Sequence, residues 1–275
     1  MDIQWFPGHM AKTKKKLIEQ LRWVDAVLEV ADARLPISSR NPLLSDLMGN
    51  KPKIIILNKA DLADEEQTQG WCSRLAPEGM VLAVSATTGL GIKKIVPHLD
   101  LLLSGKMKAL ADKGLRPRPF RIMVAGIPNI GKSSLINRLT AGAQAKTGNK
   151  PGVTRAAQWI RVHERIELLD TPGMLWPKFE DQEVGRYLAV TGAIRDETVD
   201  QESLAQWLLE WLMAYYPDAL VRYARLEGEE ITLAGIGRRR GCFLSGGVVD
   251  LFKTAQIVLK DFRAGRIARV TFDRC

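Results

Sequence analysis

Eight consecutive residues, Gly126-Ile127-Pro128-Asn129-Ile130-Gly131-Lys132-Ser133, set two glycines, a lysine and a hydroxyl at the spacing G-x-x-x-x-G-K-S. Between the apolar run 120–125 and a helix-compatible segment at 134–139, such a loop aims backbone N–H groups and a helix N-terminus at phosphate oxygens. Asn129, Ile130, Gly131, Lys132, Ser133 and Ser134 are the expected phosphate contacts, Lys132 bringing charge and Ser133 an oxygen for Mg²⁺. A second run, Asn58-Lys59-Ala60-Asp61, follows an apolar stretch. A carboxylate at Asp61 can accept from guanine N1–H and the exocyclic N2–H₂ together, a pair that adenine does not present. Asn58 can contact the N7/O6 edge, and the Lys59 stem can lie along the base. Ser85-Ala86-Thr87 offers backbone N–H groups to guanine O6. Asp170-Thr171-Pro172-Gly173 places a carboxylate near Mg²⁺ and, through Gly173, an N–H that can reach a terminal phosphate because no Cβ intrudes. Thr154, in the polar loop 147–155, is the further hydroxyl expected on Mg²⁺.

Each run alone is a modest signal, and N-K-x-D alone is a weak one. All of them, however, fall where strand ends or loops are expected. Residues 26–30, 53–57 and 80–84 are β-rich apolar runs, and 159–162 with 165–169 read as a hairpin. Leu17, Leu21 and Val24 share a face of an expected basic helix over 12–24. A helix from Gly89 to Leu103 is expected to be interrupted at Pro97, and 104–119 reads as a linker with proline blocking helix continuation. From Glu183 onward the apolar spacing is helical, with Trp207 and Trp211 expected in a core.

The formal charge of +9 lies at the chain ends: residues 1–24 hold five Lys/Arg against two Asp/Glu, and residues 221–275 eleven against six. That distribution suits an electrostatic footprint on a polyanion. Arg238, Arg239 and Arg240, with Lys253, Lys260, Arg263 and Arg266, are the expected RNA contacts. The three widely spaced cysteines suggest neither a disulfide framework nor a zinc site. With no secretory pattern and no membrane-length apolar run, a soluble, cytoplasmic monomer is expected.

The order of the motifs is unusual, because in a Ras-like GTPase the phosphate loop comes first and the guanine-reading motifs last. Joining the old termini through 104–119 and opening the chain after Asp-Thr-Pro-Gly keeps every strand neighbour. The chain resembles the circularly permuted GTPases of the YlqF/RbgA family in Trp5 to Lys12, Asp32-Ala33-Arg34-Leu35-Pro36, Asn58 to Asp61, Pro128 to Asn137, Pro151 to Thr154 and Asp170 to Gly173. It departs at Thr87, where many relatives carry lysine. The expected fold is α/β, a Ras-like P-loop domain with a mostly parallel sheet over 1–178, followed by an all-α basic domain over 179–275. The resemblance implies GTP hydrolysis in assembly of the large (50S) ribosomal subunit, with the helical domain on its rRNA. The rival reading is a GTP-dependent RNA-binding checkpoint with negligible catalysis.

Catalysis has one missing part. Met174 stands where a Ras-like enzyme has the glutamine that orients water. Three substitutes remain open: His9, which resembles the family's proposed catalytic histidine; a K⁺ ion at Asn129, as in potassium-dependent GTPases; or a group supplied by the ribosome. Lys132 and Thr154 complete the expected catalytic set, and all three substitutes imply slow hydrolysis by the free protein.

Overall fold

A computed structural model describes residue 15 and residues 17–114, 118–141, 158–171, 173, 181–226 and 231–275. His9, Thr154, Pro172 and Met174 lie outside these described residues. The chain divides into two compact units, one of residues 4–178 with 271–275 and the other centred on 179–270.

In the first unit, β1 (Ala26–Asp32), β2 (Lys53–Asn58), β3 (Met80–Ala83), β4 (Phe120–Ala125), β5 (Gln158–His163) and β6 (Ile166–Asp170) form one sheet. Their order is β3-β2-β1-β4-β6-β5, and every neighbouring pair is parallel except β5 with β6. All seven residues of β1 are buried, as are Ile54 to Asn58 of β2, so the two-faced apolar runs report a sheet covered on both sides. The strand leading into the phosphate loop, β4, sits between the base-side strands and the β5–β6 pair. In such a sheet the ligand crevice lies beyond the carboxyl ends of the strands where their order reverses. The circular permutation therefore alters connectivity while leaving the crevice intact.

Among the described residues, α1 (Pro42–Met48), α2 (Glu65–Leu75), α3 (Ile95–Asp112) and α4 (Lys132–Ala141) pack in this unit, besides helical residues 17–21 ahead of β1. Asp64 starts α2 by accepting from Gln67 N–H at 3.2 Å, with Glu65 and Glu66 in the first turn favoured by the helix dipole. Pro97 does not interrupt α3. It occupies the first turn, where its missing N–H has no intrahelical acceptor to lose, and the helix runs on to Asp112. The expected linker at 104–119 is thus helical over its first half. Arg118, beyond that helix, donates twice to Asp25 at 2.9 Å, and Arg121 N–H donates to the same carboxylate, anchoring the join beside the start of β1. Ahead of β1, Leu17, Leu21 and Val24 are buried with Val27, Leu44, Met48 and Met123, the inward face that their spacing predicted.

The last residues return to this first unit, although the sequence places 271–275 with the C-terminal helices. Asp273 accepts from the N–H groups of Ile37 and Ser38 at 2.7 and 2.8 Å and from the Ser38 hydroxyl at 2.5 Å. Trp71 Nε1–H donates to the Asp273 carbonyl at 2.7 Å, and Phe272 N–H to the Arg34 carbonyl at 2.9 Å. No hydrophobic periodicity marks a tail held by such polar contacts.

The second unit is helical: α5 (Gln182–Val190), α6 (Gln201–Tyr215), α7 (Pro217–Ala224), α8 (Leu233–Arg239) and α9 (Leu251–Arg263). Asp200, Thr232 and Asp250 cap α6, α8 and α9 by accepting from first-turn N–H groups. Leu204, Leu208 and Leu212 of α6 are buried, as are Ile236 of α8 and Val258, Leu259 and Phe262 of α9. Trp211 is buried as expected; Trp207 is half-buried, its ring 5.9 Å from that of Tyr187. Among the described residues no helix is long and apolar enough to cross a membrane.

Candidate nucleotide site

The five parallel strands bring their carboxyl ends to one edge of the sheet. Asp32 ends β1, Asn58 ends β2, Ser85 follows β3, Gly126 follows β4 and Asp170 ends β6. Runs separated by dozens of residues in the chain thus meet at one crevice, as the motif reading requires.

The base-side and phosphate-side loops are joined by side chains. Asn58 is 1% exposed; its amide nitrogen donates to the Ile130 carbonyl at 2.8 Å and its amide oxygen accepts from Ala86 N–H at 3.1 Å. One amide N–H and the amide oxygen are therefore engaged within the protein, and Asn58 ties the two loops together. Ser85 N–H donates to Leu90 O, which leaves Thr87 N–H without a hydrogen-bond partner among the described residues. Lys59 bridges the same loops by donating to the Asn129 carbonyl at 2.9 Å. Both of these residues have left-handed backbones, φ 61° at Lys59 and 60° at Asn129, each costing about 1 kcal/mol without glycine. Asp61 is half-buried and makes no hydrogen bond to a described residue, while its charge acts on Lys59.

Sequence reasoning assigned no role to the pair that supports Lys59. Asp32 accepts two hydrogen bonds from the Arg34 guanidinium at 2.9 and 2.8 Å and ion-pairs with Lys59 at 3.0 Å. Burial alone would raise the Asp32 carboxyl, but Arg34 and Lys59 outweigh it and hold the group far below its ordinary range. Burial lowers the Lys59 ammonium, with Asp32 opposing that shift. The signal available in the sequence was two opposite charges, two residues apart, at the end of an otherwise apolar strand.

In the phosphate loop, Ile127 and Ile130 are buried while Asn129 and Ser134 are exposed, so the loop is anchored by its apolar members and presents its polar ones. Lys132 is buried and donates to the Ile127 carbonyl at 2.6 Å; burial pushes its ammonium down to about 8, with Asp170 opposing. Gly173 lies against this loop. A Cβ there would come within 2.5 Å of Pro128 N and 2.7 Å of its Cα, both backbone atoms that cannot step aside. Ser133 is half-buried at the first turn of α4, and Asp170 is buried at the end of β6. Their hydroxyl and carboxylate oxygens are donors of the type that Mg²⁺ accepts.

In the second unit, Arg238, Arg239, Arg240, Lys253, Lys260 and Arg266 are exposed, but Arg263 is not available to RNA. Only 23% exposed, its side chain donates to both Asp196 oxygens at 2.8 and 2.7 Å and to the Ala189 and Val190 carbonyls at the end of α5. It is a cation satisfying helix-terminal carbonyls. Charge alone could not separate it from its neighbours in the sequence.

With base-side loops tied to the phosphate loop yet preceding it in the chain, the fold and site define a circularly permuted P-loop GTPase. A family model described as a 50S ribosome-binding GTPase matches residues 121–208. Ribosome biogenesis GTPase A of Priestia megaterium is 48% identical over 99% of this chain and 97% of its own length. That of Bacillus cereus is 45% identical over 99% and 94%. The chain belongs to the ribosome biogenesis GTPase A family and is a GTPase of ribosome assembly. GNP-bound YlqF from T. maritima is similar in structure, with a TM-score of 0.66 at 25% identity, over 96% of this chain and 98% of that one. GTPases of this class generally use Mg²⁺.

Proposed function

We propose that this protein binds GTP across the tied loops, hydrolyses it on the large ribosomal subunit, and changes its hold on rRNA with the nucleotide state. The observation that carries the proposal is the joining of Asn58 to Ile130 and of Lys59 to Asn129. Those links keep a guanine-type carboxylate, Asp61, at a fixed span from a phosphate loop. A ligand must satisfy both ends at once to use them, and a guanine nucleotide does.

Phosphoryl transfer to water needs positioning and charge stabilisation more than covalent chemistry. The loop N–H groups and Lys132 would hold the phosphates, and their negative charge would favour the protonated Lys132 that burial disfavours. Mg²⁺, taken by Ser133, Asp170 and Thr154 oxygens, would supply neutralising charge. Gly173, packed on Pro128, would report the terminal phosphate, and only a few residues separate it in sequence from α5. Water orientation falls to His9, to K⁺ at Asn129 or to the ribosome. The helical unit's exposed cations would contact rRNA, and the protein would act as a cytoplasmic monomer.

Sucrose-gradient sedimentation tests this reading. With a non-hydrolysable GTP analogue the protein should travel with large-subunit particles, and with GDP it should remain at the top. The same distribution with both nucleotides would contradict coupling.

A further inference from the structure

The helical unit contains a cleft of about 630 Å³, lined by the end of α7, the last turn of α8 and the end of α9 with the turn after it. Arg222, Tyr223 and Arg225 come from the first, Arg239 and Arg240 from the second, and Asp261 and Arg266 from the third. We infer that this cleft takes the phosphodiester backbone of RNA, with Asp261 setting the arginines that receive it. The inference rests on the RNA reading above and adds to it a site, two cations and a positioning carboxylate.

The five arginines fall into two sets. Arg240 and Arg266 are fixed: Arg266 donates to one Asp261 oxygen at 2.6 Å, and Arg240 pairs with the other at 3.5 Å. The Arg240 guanidinium also lies 5.1 Å from the centre of the Tyr223 ring, whose hydroxyl donates to Asp261 at 3.1 Å. Asp261 itself is 5% exposed, so one buried carboxylate orients three side chains. Arg222, Arg225 and Arg239 are exposed, and none of them pairs with a carboxylate among the described residues.

That arrangement suits a polyanion. Each guanidinium presents a planar fork matched to two phosphate oxygens, and a fork already held by Asp261 loses little freedom when a phosphate arrives. The three remaining cations are exposed on the cleft and bring further positive charge to it. The volume lies within the range of nucleotide-sized ligands and exceeds what one phosphate group fills. Among the described residues the lining holds one aliphatic side chain, Ala224, and one aromatic, Tyr223, so charge and not apolar area dominates it. Arg225 also ends α7 with a left-handed backbone, φ 52°, where glycine would be unstrained.

The test measures binding of the full chain to deproteinised large-subunit rRNA as a function of KCl concentration. Arg222→Ala with Arg225→Ala removes two exposed cations without touching the core. The slope of log affinity against log salt should shrink by about 1.5 to 2, and affinity near 0.1 M KCl should fall roughly tenfold or more. Arg186→Ala with Arg195→Ala, exposed cations of the same unit outside the cleft, should leave the slope unchanged. Asp261→Asn makes the unit more positive, so a merely repulsive carboxylate would give tighter binding on its removal; a positioning role predicts weaker binding. Wild-type protein without salt-sensitive binding would overturn the RNA reading and the cleft together. Salt-sensitive wild-type binding with an unaltered Arg222/Arg225 double variant would overturn the cleft alone.

Discussion

The two units use their cations in opposite ways. At the nucleotide site each is committed: Arg34 to Asp32, Lys59 to Asp32 and the Asn129 carbonyl, Lys132 to the Ile127 carbonyl. In the helical unit Arg222, Arg225 and Arg239 have no carboxylate partner among the described residues, whereas Arg263 pairs with Asp196 and Arg240 and Arg266 pair with Asp261. The difference matches what each region is proposed to receive. A guanine nucleotide is small and must be met by loops already at the right separation, so charges are used to fix geometry. An RNA backbone, the ligand proposed for the helical unit, is long and would be met by cations still available.

Breaking the most committed group should have the largest effect. Asp32→Asn leaves Arg34 buried and Lys59 without its carboxylate, which should cost about 3–5 kcal/mol in denaturant unfolding. The pH dependence has a defined sign. Because the Asp32 carboxyl is depressed in the folded state, its stabilisation is present above the unfolded value of about 4 and is lost as pH falls below it. Asp32→Asn should therefore flatten the acid limb of a stability-against-pH curve. An unchanged limb would mean that the pair is not holding the loop.

Arg263→Ala should come next, at about 2–3 kcal/mol, since it strips Asp196 and two helix-terminal carbonyls of their donor. Its effect should appear in thermal unfolding while the salt slope for RNA is retained. The smallest effect belongs to Arg239→Ala, expected within about 0.5 kcal/mol of wild type in the same unfolding measurement. If Arg263 and Arg239 proved equal in both readouts, the distinction between committed and available cations would collapse.

Much of the fold was legible because parallel strands buried on both faces announce themselves by composition, as 26–30 and 53–57 do. The chemistry-bearing loops at 58–61, 85–87, 126–133 and 170–173 were legible for a related reason: each follows such a strand. What could not be read were side-chain partnerships across long sequence separations. Asn58 was read only as a base contact; its ties to Ile130 and Ala86 are encoded by nothing local in the sequence. Arg263 looked like its exposed neighbours, and Asp196 lies far upstream. Tail residues 271–275 lack periodicity, so their attachment through Asp273 to Ile37 and Ser38 was invisible. Pro97 misled because a proline breaks a helix only after its first turn.

The most direct test of the guanine site is nucleotide selectivity of Asp61→Asn, measured by fluorescent-nucleotide displacement. Asp61 has no hydrogen bond to a described residue, so the substitution changes the ligand's contacts more than the protein's own. The account predicts about 10²-fold weaker GTP binding with a gain for the xanthosine nucleotide, whose base presents the complementary acceptor. GTP affinity equal to wild type, with no gain for xanthosine nucleotide, would contradict it.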